Sequence, residues 1–169
     1  MTSDQLFTGP ELCGLEAHEI VTLLKAKEIS SADLIDAAVA RIDQTGPMIN
    51  ATPTLCEARA RAVDLSNQDT TPAGYLAGLP ITIKDLNAVA NVRTTFGTKG
   101  LAEFIPQHND PLVDQLELQG MVIFGKTNTP EFGAGCNTFN EVFGQTRNPW
   151  NTALNPCGSS GGAAASLAT

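Results

Sequence analysis

Basic residues are scarce in this sequence. Lys and Arg number 10 against 18 Asp and Glu, for a formal net charge of -8 over 169 residues. No basic run of useful length occurs. An acidic chain repels phosphate backbones and anionic headgroups, so neither nucleic acid nor a membrane surface is expected as a direct partner. Histidine is scarcer still: His18 and His108 stand far apart. Of the four cysteines (Cys13, Cys56, Cys136 and Cys157), no two form a C-x-x-C pair. A zinc site is therefore not expected, and no metal or cofactor is implied. The thiols read as reduced and mostly structural, in a cytoplasmic protein. The opening MTSDQLFTGPEL lacks the basic and apolar regions of a signal peptide. No stretch approaches the ~18 apolar residues of a membrane span. The Asn50-Ala51-Thr52 sequon carries no weight without a secretory signal.

What is present is a globular composition, 42% hydrophobic and 17% charged, enough for one domain with a core. Residues 1–68 form a helical N-terminal segment. Ile20, Leu23, Leu24 and Lys27 share a helical face between Glu16 and Lys27. Ser30 followed by Asp33 is a capping box, and the helix after it buries Leu34, Ile35, Ala38, Val39 and Ile42. Gly46-Pro47 is expected to break that helix, and a third helix to begin near Pro53. After a polar linker (66–78), residues 69–169 change texture. Leu79 to Lys84 reads as a strand, Pro111 to Gln119 as a helix, and Met121 to Phe124 as a fully apolar strand. That succession predicts a βαβ unit with a parallel pair. Thr129-Pro130-Glu131 resembles a helix start with proline at the first position.

From Gly133 to Gly162 the chain is rich in Gly, Asn and Pro. Phe139, Val142, Phe143 and Trp150 among them favour a built site over disorder. Gly161 to Thr169 reads as a glycine turn opening an alanine-rich helix that stops without a cap. The expectation is a chain cut off inside a larger domain, against the alternative of a frayed natural tail. Gly120 to Thr127 matches the phosphate-loop pattern G-x-x-x-x-G-K-[ST]. Its intervening residues are themselves strand, and Pro130 follows too closely for a helix to open at Lys126, so nucleotide binding is rejected.

Two elements carry chemistry. Lys84 ends an apolar run, where partial desolvation lowers an amine's pKa and frees it as a base. Equally, a strand-end lysine reaches for water or pairs with Asp85. Cys157-Gly158-Ser159-Ser160-Gly161-Gly162 sets two hydroxyls among small residues, either a site or a flexible turn. Neither histidine completes a serine–histidine triad, so serine with a lysine base fits better.

Taken in order, GLPITIKD (78–85), GKTNTPEFG (125–133), FGQTRNPWN (143–151) and NPCGSSGGAAAS (155–166) resemble the amidase signature family, over roughly residues 15–169. The resemblance implies an α/β fold: a mixed, largely parallel sheet flanked by helices, incomplete here and aggregation-prone at its exposed strand edges. It implies an amidohydrolase cleaving the C–N bond of a small-molecule carboxamide through a Ser–cis-Ser–Lys triad and an acyl-enzyme. Lys84 maps to the base and Ser159 to the relay serine, with Gly158–Ser159 cis and Ser160 a supporting hydroxyl. Asn128 and Asn137 are weaker candidates for the acyl pocket. The family nucleophile and its oxyanion loop lie some two dozen residues beyond the relay serine, so this chain alone is expected to be inactive. Cys157 departs from the family's small residue. Two other roles remain open: the amidase-like subunit of a glutamine-dependent tRNA amidotransferase, or a non-catalytic interaction module. A homodimer of the full-length enzyme is compatible with the resemblance.

Overall fold

The computed structural model describes residues 11–169; most of the stretch read for a signal peptide lies outside them. Helix α1 runs Ala17–Ala26 and α2 Ser31–Ile49. Strand β1 is Thr54–Leu55, α3 Glu57–Arg61, β2 Pro80–Lys84, α4 Pro111–Leu118 and β3 Val122–Thr127. A small hairpin, β4 (Phe139–Asn140) and β5 (Gly144–Gln145), precedes α5, Gly161–Leu167. Among the described residues no helix is long and apolar enough to cross a membrane.

The sheet is mixed, in the order β1-β3-β2. β2 and β3 run parallel, joined by the crossover that contains α4, and β1 lies antiparallel on the other side of β3. Central β3 is buried at every position, as a strand covered on both faces must be. On one face Val122 and Phe124 pack with Ile35 of α2 and Ala60 of α3. On the other, Ile123 and Ile83 pack with Val89, Val92 and Val113.

Local chemistry explains most boundaries. Ser30 Oγ accepts the Asp33 amide at 3.2 Å while the Asp33 carboxylate accepts the Ser30 amide at 2.8 Å, the reciprocal cap expected at α2. The expected break at Gly46-Pro47 does not occur. α2 continues through Pro47 to Ile49 and ends on Asn50, which is left-handed at φ 53°. Ile49 is buried against Ala51 and Ala165, and the Asn50 side chain donates to Phe143 O at 2.8 Å. Those long-range contacts offset the local cost of an internal proline, roughly 3 kcal/mol. The helix expected near Pro53 is also displaced. Thr54 and Leu55 pair with Lys126 and Gly125, and α3 starts only at Glu57. The Thr129-Pro130-Glu131 start yields one 3-10 turn, Glu131–Gly133, with Phe132 left-handed at φ 50°. The left-handed backbone of Phe132 breaks the helical path there, and its amide bonds Phe96 O at 2.7 Å.

Candidate active site

β2 alternates sides. Ile81, Ile83 and Asp85 point to the α4 face, and Thr82 and Lys84 to the other. Lys84 therefore leaves the carboxyl end of a parallel strand, where ligands of open α/β sheets bind. Asp85 does not pair with it. The Lys84 ammonium nitrogen instead lies 2.8 Å from Ser159 Oγ and 3.0 Å from Ser160 Oγ. Lys84 takes part in none of the ion pairs among the described residues. Burial pushes its pKa down, and no carboxylate offsets that.

The serine loop is held from both sides. Thr138 Oγ1 donates to Cys157 O at 2.8 Å and accepts the Gly161 amide at 3.1 Å. Thr129 Oγ1, just past β3, reaches Ser159 O at 3.4 Å. The Gly158–Ser159 peptide is cis, and Cys157 is left-handed at φ 66°. Gly161 permits this closeness: a Cβ there would lie 2.4 Å from Thr138 Oγ1.

The two asparagines are not alike. Asn128 is buried, donating to Thr146 Oγ1 at 3.0 Å and Gly144 O at 3.2 Å and accepting from Asn140 at 2.7 Å. Its amide thus fastens the β4–β5 hairpin to the end of β3. Asn137 is exposed. The structure brings Lys84, Gly158, Ser159 and Ser160 together; Asn128 serves the framework behind them. Thr138 escapes a reading of the sequence, where an isolated threonine in a polar stretch carries no signal, and Thr129, read there as a helix start, instead bonds the serine loop.

The phosphate-loop match also resolves. Gly125, Lys126 and Thr127 are inside β3, and the Lys126 amine is buried, donating to Asn87 O at 2.6 Å and Thr94 Oγ1 at 2.8 Å. No helix opens there to face phosphates. Among the described residues, no group of three His, Cys, Asp or Glu is placed to hold a metal.

The arrangement can do one thing chemically. A partly desolvated amine with no counter-ion among the described residues, in contact with serine hydroxyls, can accept a proton through them. Comparisons with known proteins give the chain its family. The Amidase family model matches residues 33–169. The glutamyl-tRNA(Gln) amidotransferase A chain of Carboxydothermus hydrogenoformans is 42% identical over 162 residues, covering 94% of this chain and 33% of that one. The solved 6-aminohexanoate cyclic dimer hydrolase superposes with a TM-score of 0.81 at 30% identity, covering 94% of this chain and 33% of the other. A bacterial aryl acylamidase superposes with a TM-score of 0.79 at 34% identity, covering 89% and 32%. The chain spans about a third of the length of these relatives. With most of its length inside the family model and its fold shared with these enzymes, the chain belongs to the amidase family, the amidase signature enzymes.

Proposed function

We propose that the full-length protein cleaves the C–N bond of a small-molecule carboxamide, with Lys84 as base and Ser159 as relay. The observation that carries this is the 2.8 Å contact between the Lys84 amine and Ser159 Oγ, made by a lysine with no carboxylate partner among the described residues. Neutral Lys84 takes the Ser159 proton, and Ser159 takes one from a nucleophilic serine supplied by chain beyond residue 169. That serine attacks the carboxamide carbon. The protons return along the same path to the leaving nitrogen, so ammonia or an amine departs. Water then hydrolyses the acyl-enzyme, deprotonated by the same relay. Ser160 supports Lys84 with a second hydroxyl.

A second reading draws on the relatives. Those at 37–42% identity are the A chains of glutamyl-tRNA(Gln) amidotransferases. They favour an amide-cleaving component that passes ammonia to a partner over a free hydrolase. Both readings use the same relay.

The test is Lys84→Ala in the full-length protein, assayed for ammonia release from glutamine and simple amides. Turnover is expected to fall by about 10³-fold or more with the fold intact. Wild-type turnover would remove Lys84 as the base. Glutamine cleavage that appears only with a co-purifying partner would select the amidotransferase reading. Hydrolysis of simple amides by the protein alone would select the free amidase. An inert full-length protein would leave only a non-catalytic module.

A further inference from the structure

Behind Lys84, on the opposite face of β2, lies a buried ionic cluster that the relay does not use. Asp85 and Lys126 are inaccessible to solvent and 3.5 Å apart. The Asp85 carboxylate accepts Thr95 Oγ1 at 2.6 Å and the Thr95 amide at 3.1 Å. The Lys126 amine donates to Asn87 O and Thr94 Oγ1. The cluster thereby ties three segments: the turn leaving β2 (85–87), the loop at 94–95, and β3.

Its geometry depends on a β-bulge. Ile81 pairs with Ile123, but Thr82 pairs with Gly125, so β3 carries one extra residue, Phe124. The extra residue reverses the alternation of β3 beyond it. Lys126 thus shares a face with Ile123 and meets Asp85, rather than following Phe124 onto the α2 face. A buried pair of this kind is weak evidence for stability. What it does is fix backbone. Asp85 follows Lys84 directly, its amide bonded to Thr127 O at 2.9 Å. With Asp85 held on one side of the strand, Lys84 is held on the other.

We propose that the Asp85–Lys126–Thr95 cluster positions Lys84, setting its aim at Ser159 and Ser160. Asp85, Lys126 and Thr95 are positioning residues; none faces the serine loop. The proposal rests on Lys84 being the base.

The test uses the full-length enzyme with Thr95→Val, which deletes the hydroxyl bonded to Asp85 without changing charge or much volume, beside Thr95→Ser, which keeps it, and Lys126→Met. Thr95→Val is expected to lower kcat by about 10-fold to 10²-fold with KM within about twofold, as a misaimed base does. A less shielded Lys84 would also shift the acid limb of kcat/KM to higher pH. Thr95→Ser should restore both. Lys126→Met should lower kcat at least as far. It leaves a buried carboxylate unpaired, and if it does not fold, Thr95→Val reads the same question. Folded Thr95→Val enzyme with wild-type kcat and an unmoved limb would overturn the proposal. So would a loss of kcat that tracks a loss of folded protein. Lys84→Ala is run alongside: if it stays active, the catalytic reading fails. If it is dead while Thr95→Val is normal, only the positioning role fails.

Discussion

At the scale of residues, the contact geometry makes Ser159 and Ser160 nearly equal neighbours of Lys84, at 2.8 and 3.0 Å. What separates them is setting. Ser159 is half-buried and its carbonyl is bonded by Thr129, while Ser160 is exposed. A proton relay needs a hydroxyl shielded from competing water, so Ser159→Ala should cost at least about 10²-fold more turnover than Ser160→Ala. Single-turnover kinetics on the full-length enzyme measures this, and the reverse order would move the relay to Ser160. Lys84 also sets a pH dependence. On the proposed mechanism the neutral amine is the active form, so kcat/KM should rise with pH through the Lys84 pKa. Burial disfavours the charged form and lowers that pKa, so the acid limb should fall below the range of an ordinary lysine. A limb at or above that range would mean that Lys84 is solvated and charged in the working enzyme.

At the scale of elements, α5 is short and mostly glycine and alanine, and its seating fixes the serine loop. A Cβ on Gly162 would lie 2.4 and 2.5 Å from the backbone N and O of Asn128 and 2.9 Å from Ala51 O. None of these atoms can swing aside. Gly162→Ala should therefore destabilise the full-length protein by about 3 kcal/mol or more in urea unfolding. Gly100→Ala, with nothing within 4 Å of the new methyl, should be neutral or gain up to about 1 kcal/mol. Equal effects would mean that α5 does not pack against the end of β3. The elements legible in sequence are those with a local cause: the Ser30–Asp33 cap of α2, and the strand–helix–strand run that becomes β2, α4 and β3. Those missed are decided at long range. β1 is two residues long and defined by a partner some 70 positions away. α2 passes through Pro47 because Ile49 and Asn50 are anchored elsewhere. At the site, Lys84 and Ser159 are weak signals singly and legible only through their ordered motifs. The Asp85–Lys126 pair is hidden because its register depends on a bulge that no local pattern announces.

At the scale of the whole molecule, the chain has a core but not a closed surface. Among the described residues β2 pairs with no strand but β3, so its far edge is open. Large apolar side chains stand open around the fold: Leu167 is 88% exposed, Leu118 64%, Trp150 61% and Phe139 60%. A groove of about 300 Å³ between α2 and β2 is lined by Leu34, Ile42, Ile81, Phe124 and Leu167. Since the relatives are about three times longer, the economical account is that further chain covers these surfaces. An open sheet edge beside apolar surface drives association in its absence. The 169-residue chain on its own should therefore sediment well above 17.7 kDa and bind an apolar dye, while the full-length protein does neither beyond a defined oligomer. Analytical ultracentrifugation of both, at matched concentration and salt, makes the comparison. A monodisperse 17.7 kDa species that leaves the dye dark would mean that these surfaces are solvated by design. The relay would then sit in a stand-alone module, and Lys84 beside Ser159 would need an explanation other than amide cleavage.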